Sequence, residues 1–336
     1  MKSKDIKEFL SLDLPCLDVR SPLEYANGHI PNAVSFPLFS DNERAQVGTQ
    51  YKLRGHRTAV KLGLSIVGCR LTQMIEKVEA LNSDRFKIYC MRGGMRSASI
   101  SWLLHQVDFK VIQLNLGYKN YRAFIMDQFA KPYKMRILAG MTGTGKTEVL
   151  NEMSRIGAQV LDLEGLANHP GSSFGNQLEN KQPTTEMFQN NIHHQLDKFD
   201  LNKPIWVEDE SICIGSVHLP YPLFQQMRDG TKINIEIPKK KRLKRLVKHY
   251  GHLPPEKLIK ATLAIGKKLG KQSTDKAVAY IRSEELLKAA EIILTYYDRN
   301  YIKGSSKSSS KILDFSFSES TTTKDIAKFL IGKNVG

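Results

Sequence analysis

Short β-prone runs alternate with helical ones along the first third of the chain. LPCLDVR (14–20) is a short apolar strand, SPLEYANGHI (21–30) a turn that begins a helix, and NAVSFPL (32–38) a second extended piece. FKIYC (86–90) is a continuous β-prone run ending in a glycine-containing loop, and SASISWLLHQV (97–107) is an amphipathic helix opened by Ser97. Repetition of this kind predicts a parallel sheet with helices on its faces. A helix is predicted over 118–134, stopping at Pro132, which sets a first domain at 1–125 and a connecting segment at 126–134. MRILAG (135–140) then opens a second α/β domain over 135–336, with further strands expected at 158–164, 205–210 and 232–238. Beyond Pro254 and Pro255 the apolar spacing turns helical, in EKLIKATLAIGKKLG and SEELLKAAEIILTYYDRNY, and GSSKSSSK (304–311) reads as a low-complexity loop.

Length supports this division, because 336 residues exceed what one hydrophobic core usually serves. With 41% apolar residues, no apolar run long enough to span a bilayer and a start of MKSKDIKEFL, neither a membrane segment nor a signal peptide is expected, and the cytoplasm is the expected compartment. Cys16, Cys69, Cys90 and Cys213 form no C-x-x-C pair, so reduced thiols are expected rather than a disulfide framework or a zinc cluster. A formal charge of +16 favours a polyanionic partner. It is densest in KKKRLKRLVK, where Lys239, Lys240, Lys241, Arg242, Lys244, Arg245 and Lys248 stand without an acid, either as a phosphate-binding helix or as a solvated helix face.

Two loops carry candidate chemistry. Cys90 ends a strand and is followed by MRGGMRS, so backbone N–H groups around Gly93 and Gly94, the cations Arg92 and Arg96, and a following helix N-terminus would together favour an anionic sulfur. GMTGTGKT (140–147) satisfies G-x-x-x-x-G-K-[ST] between a strand and a helix. Gly140, Gly143 and Gly145 would let main-chain N–H groups cradle phosphate oxygens, Lys146 would reach the terminal phosphates, and the Thr147 hydroxyl can hold a magnesium ion. In WVEDES (206–211), Glu208 and Glu210 would share one face of an extended chain as metal or acid/base candidates, with a solvated strand end as the plain alternative. LDLEGLANHPGSSFG (161–175) brings Asp162, Glu164 and His169 into a loop near the phosphate site.

LDVRSPLEYANGHIPNAVSFPL (17–38), with Asp18, Arg20, Glu24, Gly28, His29, Ile30 and Pro31, followed by CMRGGMRS (90–97), resembles the rhodanese signature. Asp18, Arg20 and His29 are read there as structural rather than catalytic. Together with GYKNYR (117–122), GMTGTGKT, LDLEGLANHPGSSFG, WVEDESICIG (206–215) and RLKRLVKHYG (242–251), the chain resembles the bacterial tRNA 2-selenouridine synthases over roughly 13–251. It departs from them at Pro170, where an arginine is expected. The resemblance implies an α/β protein with a rhodanese-like domain followed by a P-loop NTPase-like domain that has a helical C-terminal part. It implies an enzyme that converts wobble 2-thiouridine to 2-selenouridine through S-geranyl-2-thiouridine, with selenophosphate and geranyl diphosphate as substrates and no tightly bound cofactor. Cys90 would carry selenium, the P-loop would bind the diphosphate, and the 239–248 helix would hold the anticodon stem-loop by its phosphates. A monomer is expected. Two other readings stay open: an ATP-dependent tRNA sulfurtransferase using a Cys90 persulfide, and a nucleotide-gated tRNA-binding module without catalysis.

Overall fold

A computed structural model describes residues 2–169, 181–305 and 311–333. The chain divides into two compact units, Met1–Phe129 and Ala130–Gly336. Among the described residues no helix is long and apolar enough to cross a membrane.

The first unit is built on five parallel strands: β1 (Lys2–Lys4), β2 (Cys16–Asp18), β3 (Val34–Ser35), β4 (Arg85–Tyr89) and β5 (Lys110–Leu114), in the order β1-β5-β4-β2-β3. Apolar side chains fill both faces, with Phe86 and Ile88 fully buried from the central strand, as a covered parallel sheet requires. Between β3 and β4 runs a long helix, Asp41–Val67, opened by a capping box of Ser40 and Glu43 and interrupted at Gly55, whose φ of 78° breaks the helical path. Periodicity did not single out this segment. The helix after β4 spans Met95–His105 with Gly94 at its N-cap, two residues earlier than the sequence suggested. Ser97 therefore does not open the helix but lies within its first turn, fully buried.

The second unit holds β6 (Met135–Ala139), β7 (Gln159–Leu161), β8 (Ile205–Glu208), a two-residue hairpin of β9 (Cys213–Ile214) and β10 (Val217–His218), then β11 (Thr231–Glu236) and β12 (Ile312–Ser316). Its main sheet is parallel, ordered β12-β11-β6-β8-β7. β7 stops short of the predicted strand because Asp162 accepts a hydrogen bond from the Gly165 N–H at 2.8 Å and caps the short helix Leu163–Leu166. All the helices from Lys239 to Ser305 lie in one insertion between the neighbouring strands β11 and β12. These are the basic helix Lys239–Tyr250, then Pro255–Ala264, Gly266–Leu269, Lys271–Arg282 and Leu286–Ser305. The central core of this unit packs Leu138, Val149, Trp206 and Ile233 against Ile326 and Leu330 of the last helix, Thr323–Gly332.

Candidate functional site

Cys90 follows β4 at the mouth of a tight loop. Gly93 (φ 64°) and Gly117 (φ 61°) meet there so closely that a Cβ on Gly93 would lie 2.9 Å from the Leu114 carbonyl, and one on Gly117 would strike the Cys90 carbonyl. Only glycine serves at both positions. The Cys90 carbonyl accepts from the Tyr118 N–H at 2.9 Å, and its sulfur accepts from the Ser97 hydroxyl at 3.2 Å. Gln113 of β5 fixes that hydroxyl from behind, its Nε2 donating at 2.8 Å to both Ser97 Oγ and the Gly93 carbonyl.

Two expectations for this loop need correction. Arg96 does not turn to the sulfur: its guanidinium is engaged by Glu24 at 2.6 Å, and Arg92 is exposed. The thiol itself is 3% exposed and belongs to a core cluster with Leu17, Val19 and Ile100, so its polar company is a serine rather than two cations. Ser97 was visible in the motif but misread as a helix opener, whereas Gln113 comes from another strand and left no local signal. Asp18, Arg20 and His29 have the structural roles the sequence suggested. Arg20 pairs with Asp18 at 2.6 Å and lies 3.7 Å over the Tyr118 ring, Tyr89 donates to Asp18 at 2.7 Å, and His29 stacks on Tyr25.

The loop after β6 forms the other site. Gly143 and Gly145 adopt φ of 81° and 86°, and a Cβ on Gly145 would lie 2.6 Å from the Arg245 guanidinium carbon. Lys146 Nζ donates to the Gly140 carbonyl at 3.0 Å and lies 3.4 Å from Glu208. The Thr147 hydroxyl is 3.1 Å from Glu208 and 3.3 Å from Glu164. Glu208 and Glu210 come together as predicted for one face, while Asp209 turns away to Arg228 at 2.6 Å and Lys232 at 2.8 Å. Glu164 completes the trio, with one oxygen from each carboxylate within 4.8 Å of the others. Burial and then Glu208 push the Glu164 carboxyl up to about 7; burial, Glu208 and Glu164 push Glu210 up to about 8. An all-oxygen set beside a P-loop threonine fits a hard divalent cation such as magnesium.

These groups occupy one end of a cavity of about 510 Å³. Its remaining wall includes the aliphatic Leu258, Ile281, Leu286, Ala289, Ile293 and Leu294 of the helical insertion, together with Tyr250, Tyr297 and Tyr301. The periodicity of 255–305 announced these helices but not that part of their apolar face lines a hollow.

Residues 4–124 match the rhodanese-like domain family, and 133–283 match the family described as tRNA 2-selenouridine synthase AAA domain. The tRNA 2-selenouridine synthase of Aeromonas salmonicida (strain A449) is 36% identical over 264 residues, covering 74% of this chain and 68% of the relative. This chain belongs to the tRNA 2-selenouridine synthase family. The selenouridine synthase of Nitrosomonas europaea is 35% identical over 257 residues, covering 73% of this chain and 66% of the relative. The crystal structure of the N-terminal domain of a Clostridium difficile 630 protein named for ATP/GTP binding matches 37% of this chain and 98% of that one at 42% identity, with a TM-score of 0.36. As a selenouridine synthase the enzyme acts on tRNA and draws on a selenium donor.

In this synthase the basic helix Lys239–Tyr250 is not the free cationic face that its composition suggests. Arg242 is buried, paired with Asp298 at 2.8 Å and donating to the Thr142 carbonyl at 3.2 Å. Arg245 donates to the carbonyls of Gly143 at 2.9 Å and Thr144 at 2.7 Å, and lies 3.2 Å from Glu148. Lys239 pairs with Glu291, Lys244 with Glu319, and Lys241 donates to the Thr321 carbonyl. Lys239, Lys240, Lys244 and Lys248 keep exposed side chains. Two of the seven predicted tRNA contacts, Arg242 and Arg245, thus brace the P-loop instead. Pro170 and the rest of the GSSFG run lie outside the described residues, as does most of the predicted 304–311 loop.

Proposed function

We propose that this synthase replaces sulfur by selenium at C2 of wobble 2-thiouridine in two steps, S-geranylation followed by displacement of the geranylthio group. The observation that carries the proposal is the single cavity with a P-loop and acidic trio at one end and an aliphatic wall at the other. A geranyl diphosphate matches both ends. Its chain gains about 0.8 kcal/mol for each CH2 taken out of water against Leu258, Ile281, Ala289 and Ile293. In the first step the thiocarbonyl sulfur bonds to C1 of the geranyl group as the C–O bond breaks and the electron pair leaves with pyrophosphate. Main-chain N–H groups of 143–147 and the Lys146 ammonium hold that growing charge. Magnesium, held by Thr147 with Glu164, Glu208 and Glu210, would supply further charge to the departing diphosphate.

Cys90 is the proposed selenium-handling residue: its thiolate bonds to the phosphorus of selenophosphate as the P–Se bond breaks, the hydroselenide released beside Ser97 stays at the selenide level, and water later returns the free thiol and phosphate. In the second step the hydroselenide forms a C–Se bond at C2 as the bond to the geranylthio sulfur breaks, and the electron pair and the selenide's proton leave together as geranylthiol. A thiol this buried implies that the 91–94 bend gives way when the donor enters. Lys240, Lys244 and Lys248 are proposed to touch the anticodon stem-loop, positioning it without reading sequence.

The test incubates pure protein with thiolated tRNA, geranyl diphosphate and selenophosphate, singly and together, and identifies the wobble nucleoside by mass spectrometry. Geranyl diphosphate alone should add a ten-carbon terpenyl group, and both donors together should give selenouridine. ATP-dependent nucleotide addition without any terpenyl product would instead favour the sulfurtransferase.

A further inference from the structure

We propose that the aliphatic end of the cavity measures the length of the chain it accepts, with Ala289 as the stop and Leu258, Ile281 and Leu286 closing around it. The inference rests on the prenyl diphosphate reading above and adds what selects among prenyl groups.

The helix Leu286–Ser305 orients the cavity. Its lining positions Leu286, Ala289, Ile293, Tyr297 and Tyr301 recur at intervals of three and four, so a single face of the helix looks into the hollow. One end of that face is tied to the phosphate loop. The Tyr301 hydroxyl interacts with the Gly140 backbone, and Asp298 joins Arg242, which in turn donates to the Thr142 carbonyl. The other end is tied to the far wall. Leu286 packs against Gly251, leaving 3.2 Å between its methyl and the place of a Cβ there, and Ala289 clusters with Leu258 and Ile281.

The apolar side chains at that far end are packed together. Ala289, Ile281 and Leu258 are exposed by only 2%, 3% and 6%. From Tyr301 back to Ala289 the helix rises about 18 Å at its usual pitch. The eight main-chain carbons of a geranyl group extend about 9 Å by ordinary C–C bond lengths, which leaves the remainder for the diphosphate and its contacts. A farnesyl chain, four main-chain carbons longer, would need about 5 Å more and would meet Leu258, Ile281 and Leu286. A dimethylallyl chain would leave the aliphatic floor uncovered. Because the diphosphate is pinned at the P-loop, depth is read from a fixed origin, and Ala289, with no atom beyond Cβ, is the lining position where a larger side chain most directly shortens the hollow.

The experiment gives the full-length enzyme thiolated tRNA and an equimolar mixture of dimethylallyl, geranyl and farnesyl diphosphates, without a selenium donor, and compares the S-prenylated nucleosides by mass spectrometry. The wild type should make chiefly the geranyl product. Ala289→Phe should shift the five-carbon to ten-carbon ratio upward by about tenfold or more, and Leu286→Ala should do the same for the fifteen-carbon product, as one misfitted hydrocarbon unit commonly discriminates. Geranyl transfer by the wild type with its product ratio kept by both folded variants overturns the length gauge alone. If Ala289→Phe does not fold, Leu286→Ala decides by itself. Absence of prenyl transfer by the wild type from any of the three removes the parent reading, and the gauge with it.

Discussion

Glu210 carries the clearest conflict at the level of single residues. It sits half-buried beside two other carboxylates, and its carboxyl is raised to about 8, with Glu164 at about 7. A carboxyl raised on folding holds its proton in the native state after the unfolded chain has released it, so stability falls as pH rises from the ordinary carboxylate range through about 7 to 8. Without divalent cation, the melting temperature of the second unit should therefore drop across that window. Glu210→Gln should flatten the drop, melting higher than the wild type near pH 8, and should be stabilised less by magnesium; calorimetry at several pH values checks both. In the first unit, Cys90→Ser should lower selenouridine formation by on the order of a hundredfold or more while geranylated tRNA persists, read by nucleoside mass spectrometry. Ser97→Ala removes a side-chain donor to that sulfur and should slow selenation without affecting geranylation.

For an element, what decides is where its side chains point, and composition does not report it. The phosphate loop was legible because its chemistry is local: glycines, lysine and threonine act from neighbouring positions after one strand. The acidic trio was only half legible, since Glu208 and Glu210 announce themselves on one strand end while Glu164 arrives from a capped turn 44 positions earlier. The basic helix was misread for the same reason. Seven cations in ten residues count identically whether they face solvent or, like Arg242 and Arg245, hold the carbonyls of the P-loop. Periodicity likewise found the helices of 255–305 but cannot separate an apolar face that packs from one that lines a cavity. Gly145→Ala tests the helix-to-loop contact. It forces a Cβ into the left-handed region and against Arg245, and should cost about 1–3 kcal/mol in denaturant unfolding with a parallel loss of diphosphate binding.

At the scale of the molecule, Cys90 and Lys146 belong to different compact units, each with its own buried core. Lys146→Ala should reduce geranylation by on the order of a hundredfold or more, as loss of a charged donor at a reacting phosphate does, while the reaction of Cys90 with selenophosphate stays at the wild-type level. Loss of both activities in a folded Lys146→Ala protein, measured by tRNA product and by mass of the selenophosphate-treated protein, would overturn the division of labour. The arrangement of the second unit also bears on how such an enzyme changes over time. The P-loop and the acidic trio come from turns after β6, β7 and β8, whereas the aliphatic lining of the cavity arrives as one continuous excursion of the chain between β11 and β12. Drift at Leu258, Ile281 or Ala289 can retune which oily tail is welcomed, but the same excursion carries Arg242 and Arg245 to the P-loop carbonyls, so grip and taste are inherited together.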